Sequence, residues 1–181
     1  NARNHRGETA LSIAQWHESK EKFTEVLKNF GAENPLQKEI ELRRAAKAGD
    51  RSRVQEMLEQ GADVNHIHRG GTALQVALYE FDLAKGNPNE ELVKDLLKAG
   101  ADVALESGPG FMSPPLLQAI STCKPELVRL FLEFGAEPNA KNIGNLTAAM
   151  HAAQCGDRAM VNMLLEAGAE EDELTRVFLA A

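Results

Sequence analysis

The side chains best suited to chemistry are His66 and His68, one residue apart in the stretch GADVNHIHRGGTALQVAL at 61–78. Alternate residues of an extended strand share a face, so two imidazoles at this spacing can begin a zinc or copper site. Such a site needs three or four ligands with an oriented outer shell, and His5, His17 and His151 stand at no matching spacing. Two readings of the pair then stay open: a contact surface at the tip of a turn, or a turn without a function. His151 and Cys155 are four apart, the minimum for a Cys–His nucleophile pair on one helix face. The chain has no Gly-rich phosphate loop, no G-x-S-x-G, no H-E-x-x-H and no EF-hand acid spacing. It reads as a non-enzyme, with no cofactor and no metal.

Bulk composition limits what surrounds these residues. A hydrophobic content of 43% over 181 residues is enough for a sizeable core, and an aromatic content of only 5% favours closely packed helices. The net charge of −7, with no cluster of basic and aromatic residues, lacks the counterion-release drive for nucleic-acid binding. Cys123 and Cys155 form no CxxC pair and are too few for a disulfide framework, which predicts free thiols in a reducing, cytoplasmic setting. The longest apolar runs, such as LVRLFL at 127–132, fall far short of the roughly 18 residues a membrane span needs. The first residue, Asn1, and the lack of an apolar leader suggest a piece of a longer protein.

The elements that position these residues recur. Gly-Ala followed by an acid occurs at 31–33, 61–63, 100–102, 135–137 and 168–170, with spacings of 30, 39, 35 and 33. Before each lies a short apolar stripe with helical spacing: FTEVL at 23–27, VQEML at 54–58, LVKDLL at 92–97, LVRLFL at 127–132 and MVNMLL at 160–165. A helix rich in small residues precedes each stripe: TALSIAQ at 9–15, ELRRAAK at 41–47, TALQVAL at 72–78, PPLLQAI at 114–120 and TAAMHAA at 147–153. Thr9, Thr72 and Thr147 are placed to cap these first helices, and Pro114 or Pro115 suits a helix start. Gly49 and Gly156 can end a first helix in the left-handed region, as the Gly of each Gly-Ala can end a second.

This pattern resembles the ankyrin repeat, a unit of about 33 residues made of a β-turn and two helices, with a T-P-L-H-x-A opening. The resemblance covers the whole chain and implies an all-α solenoid with short β-hairpin or turn links. It reads as one domain over 1–181, with units at 1–33, 34–65, 66–104, 105–139 and 140–170 and a partial sixth at 171–181. Its last stretch, TRVFLAA at 175–181, looks like the opening helix of that sixth unit. No unit has enough core to stand alone, so each must bury its stripe against a neighbour. Three departures stand out. The second unit lacks T-P-L-H, so a full hairpin is not expected before it. The third carries about seven extra residues in YEFDLAKGNPNEE at 79–91, either a tolerated loop or a partner-specific feature. The acidic EEDE at 170–173, a short link before the last helix, is read as a solvated turn or as a cation or basic-peptide contact.

Ankyrin domains commonly hold partners through hairpin tips and through the two residues after the Ala pair, on a concave face. By register, the resemblance places Trp16, His17, Lys47, Tyr79, Glu80, Ser121, Thr122 and Gln154 at the post-Ala positions. At the hairpins it places His5, Arg6, Glu8, His66, His68, Arg69, Phe111, Ile143 and Leu146. The only Trp and the only Tyr both fall on the post-Ala line, where bulky aromatics carry binding energy well. Against this, Trp16 or Tyr79 can merely cover the next helix. His151 falls where the repeat has a core-facing residue, so a structural role is expected. The implied function is a monomeric module for a protein or peptide partner, without nucleic acid or membrane. The alternative is the recruiting or regulatory part of a larger enzyme or bacterial effector.

Overall fold

The computed structural model describes residues 36–68, 71–79, 90–105 and 113–180, and the statements below concern these residues. Helices alternate through them: α1 (Gln37–Ala48), α2 (Arg51–Glu59), α3 (Ala73–Tyr79), α4 (Glu90–Lys98), α5 (Pro115–Ser121), α6 (Pro125–Glu133), α7 (Ala148–Gln154), α8 (Arg158–Glu166) and α9 (Glu173–Ala180). The first helices pack in succession, α1 on α3, α3 on α5, α5 on α7 and α7 on α9, while each second helix lies against its own first helix. This is the nearest-neighbour stacking of a solenoid, and the all-α reading with minimal β links holds.

Local chemistry explains the boundaries. Thr72 and Gln75 form a reciprocal capping box before α3: the Gln75 N–H bonds the Thr72 hydroxyl at 3.3 Å, and the Thr72 N–H donates to the Gln75 side chain at 2.9 Å. Thr147 caps α7 through the Met150 N–H at 3.1 Å, and Pro115 occupies the first turn of α5. The second helices α2 and α8 are capped by Asp50 and Asp157, which accept from the N–H groups of Arg53 and Met160, each at 3.0 Å. Helix α1 is longer than expected, because nothing in QKEIELRRAAKA interrupts it before Gly49 at φ 72°. The last helix starts at Glu173, ahead of the expected TRVFLAA segment, because Asp172 accepts the Thr175 N–H at 2.8 Å and caps it.

The second helices end in one recurring motif. After α4, Gly100 adopts φ 90°, its N–H reaches the Leu97 carbonyl at 3.0 Å, and the Ala101 N–H reaches back to Leu96 at 3.0 Å. This double return satisfies the terminal carbonyls, and the following Ala packs inward. Ala62, Ala101 and Ala136 are all buried. The Gly-Ala recurrence is thus a helix stop followed by a core contact.

The core runs along both rows. Leu74, Leu92, Leu96, Leu116, Leu117, Ile120, Leu127, Phe131 and Met160 are fully buried. In α7 small residues take the same role, with Ala148, Ala149 and Ala152 inaccessible, which lets α7 pack closely on both α5 and α9. Ion pairs join the second helices across units: Arg51 of α2 to Asp95 and Glu91 of α4, and Lys124 to Glu90 at 2.7 Å.

Candidate interaction surface

The post-Ala residues lie at the C-terminal ends of first helices that pack in sequence. Lys47 is in the last turn of α1, Tyr79 is the last residue of α3, Ser121 of α5 and Gln154 of α7. Lys47, Ser121 and Gln154 are exposed. Thr122 is half-buried and spends its hydroxyl on the Ala119 carbonyl at 2.7 Å. Ser121 likewise donates to Leu117 at 2.9 Å.

His151 joins this line. Its Nε2 lies 3.5 Å from the Ser121 hydroxyl oxygen, 30 positions earlier. Its Nδ1 is buried without a hydrogen-bond partner, and burial pushes the imidazole below its ordinary value. The sequence placed His151 inside a unit; its reach to the preceding one follows from the stacking of α7 on α5.

Cys155 does not pair with His151, and the expectation of two free thiols is corrected. Cys155 forms a disulfide with Cys123, 32 positions earlier, with 5.6 Å between the Cα atoms. A separation close to one period brings neighbouring positions of adjacent units side by side, which a count of CxxC motifs cannot detect. With both sulfurs bonded, the cysteines no longer argue for a reducing compartment, and Cys155 offers no thiolate nucleophile.

Two hairpin links carry the other candidates. His68 and Gly71 exchange backbone hydrogen bonds of 3.1 and 3.3 Å as an antiparallel bridge, so the His66-Ile67-His68 triplet does lie at a β-turn link. His66 and His68 are half-buried, whereas Ile67 is 43% exposed. The residue missed is therefore the apolar one between them, and the alternation of an extended segment was the available signal. Among the described residues no group of three or more His, Cys, Asp or Glu side chains could hold a metal ion. The second link is closed by a bridge between Lys141 and Thr147 and shaped by Asn142, whose side chain accepts from the N–H groups of Gly144 and Leu146. Ile143 stands 76% exposed at its tip, while Leu146 is half-buried. His5, Arg6, Glu8, Trp16, His17, Arg69, Glu80 and Phe111 lie outside the described residues, as do Thr9 and most of the 79–91 insertion.

Two polar clamps went unpredicted. The Asn65 side chain donates to the Gly100 carbonyl at 2.9 Å and accepts the Asp102 N–H at 2.8 Å. Asn139 repeats this two units on, with Gly168 at 3.1 Å and Glu170 at 2.7 Å. The signal was the Asn four residues after each of these Gly-Ala glycines. The acidic EEDE segment is also more than a solvated turn. Burial works against the charge of Asp172, but hydrogen bonds from the Thr175 N–H and hydroxyl, then the Thr147 hydroxyl, hold its carboxyl below the usual range.

Comparison with known proteins fits this architecture. The family described as ankyrin repeats (3 copies) matches residues 81–174, just over half of the chain. The chain belongs to the ankyrin-repeat family. It is 34% identical over 115 residues to the human mitochondrial disaggregase, a match covering 63% of this chain and 14% of that protein. It is 38% identical over 89 residues to the ankyrin repeat and SAM domain-containing protein 6 of Rattus norvegicus, covering 48% of this chain and 9% of the relative. An ankyrin repeat and KH domain-containing protein of Caenorhabditis briggsae is 40% identical over 53 residues, covering 29% of this chain and 2% of that one. The matched part is thus a small fraction of each relative. Ankyrin repeats are in general protein-interaction modules, and no described helix is long and apolar enough to cross a membrane.

Proposed function

We propose that this ankyrin chain is a non-catalytic, monomeric interaction module, one domain over 1–181 with five units and the start of a sixth. It holds a protein or peptide along the ends of its first helices and its hairpin tips. The observation that carries this reading is the line Lys47, Tyr79, Ser121 and Gln154, one residue per first helix on helices that pack in succession. Exposed apolar residues at the links, Ile67 and Ile143, support it. By register the same surface includes Trp16, His17, Glu80 and Thr122, together with the hairpin residues His5, Arg6, Glu8, His66, His68, Arg69, Phe111 and Leu146. A stack already ordered by its own core loses little conformational entropy on binding. We place it in the cytoplasm, and its net charge of −7 argues against a nucleic-acid partner.

The test is affinity capture from matched cell extract with three proteins. These are the intact chain, a Trp16→Ala, Tyr79→Ala, Phe111→Ala variant, and an Ile143→Ser, Gln154→Arg variant at exposed sites. A partner retained by the intact chain and lost from both variants, with helical content unchanged, supports the surface. Equal recovery by all three overturns it.

The match to a disaggregase over 14% of that protein favours a second reading, in which the module recruits substrate for, or regulates, a larger enzyme or effector. A longer chain whose activity on a protein substrate falls when Ile143 and Gln154 are changed, while its basal turnover stays, would support it.

A further inference from the structure

Among the described residues, three turns join a first helix to the second helix of its unit through a residue in the left-handed region. Two are glycines, Gly49 and Gly156, each at φ 72°; the third is Cys123 at φ 51°. The three are equivalent, since Asp50, Asp157 and Lys124 follow them as the N-caps of α2, α8 and α6. This region disfavours residues with a Cβ, and glycine fills it without strain. What cysteine adds at this position is its sulfur, which is bonded to Cys155, the C-cap of α7 in the next unit. Cys123 is exposed and Cys155 half-buried. The bond closes a loop containing α6, the 141–147 link and α7.

We propose that Cys123 and Cys155 form a reversible dithiol–disulfide site that reacts with low-molecular-weight disulfides and fastens these two units together. In the reduced chain the Cys123 thiol is the accessible one. Its thiolate attacks a small disulfide RSSR, forming a mixed disulfide and releasing one thiolate, RS⁻. The Cys155 thiolate then attacks the Cys123 sulfur and releases the second RS⁻. Two protein thiols are oxidised by two electrons, RSSR is reduced to two RSH, and the two protons lost from the protein thiols end on the released thiols. A small thiol in excess reverses both steps. The closed loop withholds freedom from any state in which α7 and α8 come away from α5 and α6. Made and broken with the thiol–disulfide balance around it, the bond sets the firmness of this end of the stack. The inference does not depend on the binding surface proposed above.

The test equilibrates the full chain with reduced and oxidised glutathione over a wide range of ratios, quenches with acid, and counts free thiols by maleimide mass tagging. The expected result is a change from two tags to none across one midpoint, without a lasting glutathione adduct. Hydrogen exchange of residues 148–166 should slow by at least about tenfold in the oxidised form. Cys123→Gly places there the residue that stands at Gly49 and Gly156, so it should melt no lower than the reduced parent chain. It should melt below the oxidised parent and ignore the glutathione ratio. Cys155→Thr, which matches Thr122 of the preceding unit, should trap a single glutathione on Cys123. Two full tags in the most oxidising mixture, two stable glutathione adducts, or identical exchange in both redox states would each overturn the proposal.

Discussion

His151 is the residue whose environment most clearly sets a pH dependence. Its Nδ1 is buried without a partner, and desolvation lowers its pKa from the ordinary 6.5. The unfolded chain then binds a proton at a higher pH than the folded chain does. Its contribution to stability is therefore complete above about 6.5 and declines as pH falls through that value toward the folded one. Val76 stands at the same register position in α3 and is buried. We expect His151→Val to lie within about 1 kcal/mol of the parent at neutral pH and to lose less stability than the parent between pH 7.5 and 5.5. Urea midpoints at the two pH values check this, and the difference between the proteins removes the effect of the other histidines. Equal losses would show that the ring is charged in the fold. The inward position of His151 was legible from the repeat, but its approach to Ser121 was not, because that contact belongs to two units.

At the level of elements, the helices were legible because their ends carry chemistry of their own: Thr72 and Thr147 start them, and Gly-Ala stops them. The links between units were read less well. Asn65 and Asn139 each tie one link to the next with two hydrogen bonds, yet each looks like an ordinary loop residue in the sequence. Asn139→Ala removes both bonds and should cost about 1–3 kcal/mol by chemical denaturation. The unit between them has Ala104 at the equivalent place, exposed and without a side chain to reach Gly135 or Glu137. Ala104→Asn should supply the missing clamp and stabilise by about 0.5–1.5 kcal/mol. A neutral result would mean that this link is set at a different angle from its neighbours. The stop signals can be tested at Gly100, where an added Cβ would meet nothing within 4 Å but φ is +90°. Gly100→Ala should therefore cost about 1–2 kcal/mol through the backbone alone. A change near zero would show that the turn readjusts freely.

Across the whole molecule, cohesion passes only from each unit to the next, and this makes the position of a defect matter as much as its size. Leu127 in α6 and Leu164 in α8 are both inaccessible, and truncating either to Ala should cost about 2–5 kcal/mol locally. Helix α8 packs on α7 and α6, near the end of the described stack, whereas α6 touches both α5 and α8. Leu164→Ala should accordingly speed hydrogen exchange in α7, α8 and α9 while leaving α1 to α4 at parental rates. Leu127→Ala should speed exchange from α5 through α8 and loosen the end units as well, because their link to the rest passes through α5 and α6. The comparison belongs in the reduced chain, since the Cys123–Cys155 bond joins the two units by a second route. Uniform acceleration of every helix by either variant would mean that the stack unfolds as one cooperative body. Nearest-neighbour packing would then describe its contacts but not its energetics.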